Sequence, residues 1–150
     1  MTDISSSRLI FPALGGVYRA IAPYTETMIR LVAGLSFVPH GYPKLFVNPS
    51  ASAAFLEQSG YRPGMFWAVL LGCTEVFGGL LLAAGLFTRL VCVPILIFLI
   101  VAITTYHWPN GFAWNEEGFE YPMFWAIVVF HFLINGGGRY SVDAMIGREV

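Results

Sequence analysis

Glu75 and His131 are the residues whose chemistry and position ask for an explanation. Each interrupts an apolar stretch, Gly64 to Phe87 for the carboxylate and Tyr121 to Asn135 for the imidazole. At a helical rise of ~1.5 Å per residue both fall roughly 16 Å from the same end of their stretches, near the middle of a ~30 Å hydrocarbon layer. An ionisable side chain at that depth costs a few kcal/mol, so it faces protein, is neutral, or has a partner. A carboxyl with an imidazole at matched depth suits proton relay or reception of a quinone head group, and the two are the candidate catalytic pair. The alternative is structural: polar side chains in a bundle also tie helices together, at roughly 0.6 kcal/mol per hydrogen bond. Both readings stay open for Glu75.

Arg30, His40 and Lys44 belong to a further apolar stretch, Thr25 to Tyr42, and its continuation. They are the candidates for holding a cofactor. Their alternative role is anchoring: Arg30 stands near the inner end, where a long side chain snorkels to the headgroups, and His40 and Lys44 lie one turn apart toward the outer end. Pro39 and Pro43 each remove a backbone donor there, which predicts a kink. His40, His107 and His131 have no short ligand spacing, so no metal site is expected, and their unmatched depths argue against haem. No nucleophile triad, phosphate loop or dinucleotide fingerprint is present, and a self-sufficient enzyme is not expected. Cys73 and Cys92 form no CxxC pair and sit in apolar runs as small hydrophobes.

The elements that position these residues follow from composition. The 150 residues are 57% hydrophobic and 11% charged, far from the roughly quarter-charged usage of soluble domains. The formal charge of -1 offers no basic face for nucleic acid. Four apolar stretches, residues 25–42, 64–87, 90–106 and 121–135, have lengths suited to a bilayer and no period-two alternation, which predicts an all-α, four-helix integral membrane bundle in one domain. Ser7 to Ala22, mixing arginines with large apolar residues, is expected to lie on the membrane surface. Asn48-Pro49 reads as a helix N-cap with proline at the first helical position, and Gly60 as a stop, giving a short lid helix. Ala68, Gly72, Gly79 and Ala83 share the face of Glu75 and would let another helix approach closely.

Arg8, Arg19, Arg30, Arg89, Arg139 and Arg148 fall on one side of a four-span chain, and Lys44 and Arg62 on the other. The positive-inside rule then puts both termini in the cytoplasm and the lid outside. Trp67, Tyr106, Trp108, Trp114, Tyr121 and Trp125 gather near the outer ends, as an aromatic belt would. The expected partners are the lipid bilayer and other subunits, whether of another protein or of a homo-oligomer.

Several motifs resemble the DoxX family: Arg30 followed by His40-Gly41-x-x-Lys44-Leu45-Phe46, Glu75-x-x-Gly78-Gly79, Gly85-Leu86-Phe87-Thr88-Arg89, and Gly137-Gly138-Arg139-Tyr140-Ser141-Val142-Asp143. The resemblance implies a four-helix protein of the bacterial inner membrane. It also implies association with membrane redox systems, among them a thiosulfate:quinone oxidoreductase, while other members have accessory or assembly roles. It singles out Arg30, His40, Lys44, Glu75, Arg89, Arg139 and Asp143; His131 rests on the depth argument alone. The function expected is a membrane subunit of a quinone-linked redox complex, with a non-enzymatic scaffold as the alternative.

Overall fold

In the computed structural model, which describes residues 9–148, the chain is helical and contains no strand among the described residues. A single turn, Pro12–Leu14, leads into helix α1, Gly15–Tyr42, which runs through Pro23 and Pro39. Residues 15–22 are therefore the first turns of α1 and not a separate surface segment; Ser7 and Arg8 lie outside the described residues. Beside Pro23, the Thr25 hydroxyl donates to the Ala22 carbonyl at 2.8 Å and the Thr27 hydroxyl to the Pro23 carbonyl at 2.9 Å, so both hydroxyls are satisfied within the helix.

A wide π-turn, Pro43–Val47, ends α1. Helix α2, Pro49–Gln58, starts as its sequence requires, with Asn48 Oδ1 accepting from the Ala51 N–H at 3.1 Å and proline in the first turn. Gly60 beyond it has φ +91°, a left-handed conformation that stops the helix. Helices α3, Gly64–Cys73, and α4, Gly79–Ala84, are joined by a second π-turn, Thr74–Gly78, into one rod. Helix α5, Thr88–Ala102, continues through a third π-turn, Ile103–His107. Helix α6, Glu120–Asn135, and the short α7, Val142–Ile146, follow.

Two rods, Gly64–Ala84 and Thr88–Asn110, are long and apolar enough to cross a membrane, and Glu120–Asn135 is a shorter apolar helix. Only 39% and 22% of the residues in their apolar windows are buried, whereas the core helix of a water-soluble protein is mostly covered. Leu70, Leu80, Leu90, Ile97, Phe130 and Ile134 all point outward. An outer surface of this kind has lipid as its natural solvent.

The interior is narrow. Leu82, Ile95, Val129 and Phe132 form its centre with no exposed surface. Helix α1 lies directly on α4 because both present glycine: a Cβ on Gly34 would stand 2.5 Å from the Ala83 nitrogen, and one on Gly79 2.5 Å from the Gly34 carbonyl. Of the small-residue face expected around Glu75, Gly79 and Ala83 make this contact, Gly72 packs against Leu45 of the Pro43–Val47 turn, and Ala68 is buried as well.

A polar latch closes the end of the bundle where α4 turns into α5. The chain turns sharply between α4 and α5, with Gly85 at φ +68° and Phe87 at φ +50°. A side chain as large as phenylalanine rarely adopts that conformation, and here Asp143 of α7 holds it. Its carboxylate accepts from the Phe87 N–H at 2.8 Å, the Thr88 N–H at 2.9 Å and the Thr88 hydroxyl at 2.7 Å. The Asp143 N–H donates to the Gly85 carbonyl at 2.9 Å. Asp143 thus caps α5 from across the fold. Burial pushes its carboxyl pKa up, but the bonds from Thr88 and Phe87 and the nearby Arg30 charge outweigh that and hold it below the usual carboxylate value.

Candidate functional site

The π-turn that ends α1 and the one that joins α3 to α4 bring together the residues that matter most. Lys44 occupies the second position of Pro43–Val47 and Glu75 the second position of Thr74–Gly78. A π-turn carries one more residue than an α-turn and redirects the side chains around it, which is why such turns collect at functional sites. Lys44 Nζ donates to Glu75 Oε2 at 2.6 Å and to the His40 carbonyl at 2.8 Å. Glu75 is 2% exposed and the Lys44 side chain 25%, so the carboxylate is buried while the ammonium keeps a path to water. Gly41 makes the approach possible: a Cβ there would lie 2.7 Å from the Glu75 Cβ.

Glu75 also forms part of the wall of a cavity of about 550 Å³ between α1, α5, α6 and the loop that joins α5 to α6. That volume lies within the range of small-molecule sites. Phe37, Phe98, Tyr106, Tyr121 and Trp125 supply much of the wall, with His40, His107 and Glu117 adding polar groups. Part of the expected aromatic belt is therefore turned toward this space. Most of the polar lining already has protein partners: the Tyr106 hydroxyl donates to Glu117 Oε2 at 2.6 Å, His107 Nδ1 lies 2.6 Å from the Glu117 carbonyl, and the Ser36 hydroxyl donates to the Val32 carbonyl at 2.7 Å. The Trp125 indole nitrogen differs. It is the one fully buried side-chain nitrogen or oxygen without a hydrogen-bond partner among the described residues.

The residues singled out from sequence thus separate into two groups. Glu75, Lys44 and His40 come together. His131 does not join them: it is exposed, its Nε2 lies 3.7 Å from Glu26 Oε1, and Asn135 donates to its backbone carbonyl at 2.9 Å. Matched depth placed it beside Glu75, but the inward stripe of α6 runs through Trp125, Val129 and Phe132, and His131 is rotated off that stripe. Arg30 is also elsewhere. It is 2% exposed and does not snorkel outward; it donates to the carbonyls of Ala83 at 3.3 Å, Tyr140 at 2.8 Å and Gly137. The segment after α6 folds back over the α4–α5 turn and offers two of these acceptors, so Arg30 strengthens the latch with Asp143. Glu26 and the cavity role of Tyr106, His107, Glu117 and Trp125 were not foreseen; the i, i+4, i+7 spacing of Trp125, Val129 and Phe132 was the available signal for α6. Cys73 and Cys92 are free thiols.

The sequence model described as DoxX matches residues 26–108, more than half of the chain. An uncharacterized membrane protein of Mycobacterium tuberculosis is 28% identical over 149 residues, which cover 92% of this chain and 91% of that one. CatD of Bacillus subtilis, whose name proposes an oxidoreductase, is 29% identical over 119 residues, 79% of this chain and 84% of its own. No solved structure matches at a significant level. The matched segment holds Arg30, His40, Lys44 and Glu75, the polar residues of α1 and of its partner rod. By that match the chain belongs to the DoxX family.

Proposed function

We propose that this protein is a membrane subunit of a quinone-linked redox complex of the bacterial inner membrane, with Glu75, paired to Lys44, at the wall of a quinone head-group cavity. One observation carries the reading: a carboxylate that is 2% exposed, paired at 2.6 Å with a lysine, borders an aromatic-walled cavity of about 550 Å³. The residues fit such a group. Flat aromatic walls suit a ring, and Glu75, paired with Lys44, offers a carboxyl group to its oxygens. A bound quinone would supply two-electron chemistry coupled to protons; the chain's part is to hold the ring, exclude water, and accept or return a proton at the Glu75 carboxylate.

The proposed arrangement has four spans, formed by α1, the α3–α4 rod, α5 with its continuation, and α6, with both termini cytoplasmic and α2 as an outer lid. It follows the distribution of arginines. The oxidoreductase in the name of CatD lends support.

Glu75→Gln tests the reading, because it keeps shape and most hydrogen bonding but cannot exchange a proton. Quinone-reductase activity in membranes, or that of the partner complex, is expected to fall while the variant unfolds at nearly the wild-type temperature. Wild-type activity in Glu75→Gln would favour the second reading, a non-enzymatic scaffold or assembly subunit. The observation behind that alternative is that the Lys44–Glu75 bond already ties α1 to the second rod.

A further inference from the structure

The Trp125 indole is packed edge-on among aromatic rings, 6.2 Å from Phe37, 5.8 Å from Tyr121 and 5.4 Å from Phe124 between ring centroids. Phenylalanine would fill the same place without leaving a buried donor unmatched. Buried polar groups are nearly always hydrogen-bonded, and an orphan donor destabilises the fold that contains it. This one belongs to a residue of the cavity wall. The lining hydroxyls of Ser36 and Tyr106 are already engaged, and Lys44 is held by Glu75 and the His40 carbonyl.

We propose that Trp125 donates its indole N–H to a carbonyl oxygen of the cavity ligand, the indole turning about its Cβ–Cγ bond to present it. The assignment rests on the cavity reading above and narrows it. An indole nitrogen only donates, so its partner must be an acceptor oxygen. Among the described residues the wall holds Glu117 and a Glu75 already matched by Lys44, and no lysine or arginine to attract an anion. The ligand is then a neutral flat ring bearing carbonyl oxygen. A carbonyl oxygen accepts more strongly than a phenolic hydroxyl, so Trp125 favours the oxidised ligand over the reduced one.

The test uses the full chain in lipid nanodiscs, with decylubiquinone and its quinol as probes and direct binding as the readout. Trp125→Phe keeps the aromatic wall and removes the donor. It is expected to weaken quinone binding roughly tenfold and quinol binding by clearly less. Equal affinity of wild type and Trp125→Phe for the quinone, or an equal loss for both redox forms, would overturn the assignment. In the first case the cavity reading stands, because the quinone still binds. No binding by the wild type at all removes both. Should Trp125→Phe not fold, the wild type is compared with a dimethoxy analogue that lacks carbonyl oxygen. Roughly tenfold preference for the quinone supports the contact, and equal binding overturns it.

Discussion

Lys44 and Glu75 are 31 residues apart in sequence, each is the second residue of a π-turn, and their charged atoms meet at 2.6 Å. The pair is asymmetric, since the carboxylate is buried and the ammonium retains 25% of its side-chain exposure. Removing the lysine leaves a buried acid alone, whereas removing both charges leaves an apolar contact.

Lys44→Met is therefore expected to destabilise the protein by about 2–3 kcal/mol, below the full cost of an orphaned charge because the acid can take up a proton. The double variant Lys44→Met, Glu75→Leu should recover at least half of that loss. Thermal unfolding in a single detergent measures both. A double variant no more stable than Lys44→Met would show that the geometry of the π-turns, and not the ion pair, holds these segments together.

Asp143 gives a prediction in pH. Its folded carboxyl is more acidic than an unfolded aspartate, so in the range between the two values the unfolded chain binds the proton first. The stabilisation is complete above the ordinary carboxylate value of about 4 and is lost as pH falls through the lower folded value. Asp143→Asn replaces an acceptor with a donor facing the hydroxyl and N–H of Thr88. It is expected to cost roughly 1–3 kcal/mol at neutral pH. The gap between the two proteins should narrow as the pH is taken well below 4, and a gap independent of pH would remove the carboxylate from the latch.

Topology is tested best at positions chosen for exposure. Ser141 is 2% exposed and its hydroxyl accepts from the Ala144 N–H at 3.1 Å, so a cysteine there would report on local unfolding. Met145 is 85% exposed, and Ser50 on α2 is exposed as well. In a background without Cys73 and Cys92, Met145→Cys should react with an impermeant thiol reagent only in inverted vesicles, and Ser50→Cys only in intact cells with a permeabilised outer layer. The opposite pattern would invert the proposed orientation.

Much of the helical layout was legible in the sequence because it depends on local signals. Asn48 and Pro49 start α2, Gly60 stops it, and the glycines after Asn135 end α6 with φ +77° at Gly136 and +76° at Gly138. The small-residue face beside Glu75 was legible too, because it lies on one helix. What sequence missed were relations between elements. For Glu75 and His131 the sequence offers position along a helix, which says nothing of rotation, and His131 faces away. The partner of Glu75 is Lys44 because π-turns alter the rotation that a uniform helical period would assign. Arg30 was misplaced for a different reason: its acceptors, at Gly137 and Tyr140, lie more than a hundred residues further along the chain. The cavity depends on α1, α5, α6 and the α5–α6 loop together, and no single stretch announces it.

Helix α1 carries Arg30 of the polar latch and leads without a break into the turn that holds Lys44. The helix is thus a ruler of roughly 20 Å set between two fixed marks. One residue inserted between those marks would advance the far one by ~1.5 Å and swing it by about 100°, so that latch and ion pair could no longer form at once. Substitutions along this stretch are tolerated wherever the packing allows, but its length is not free to change.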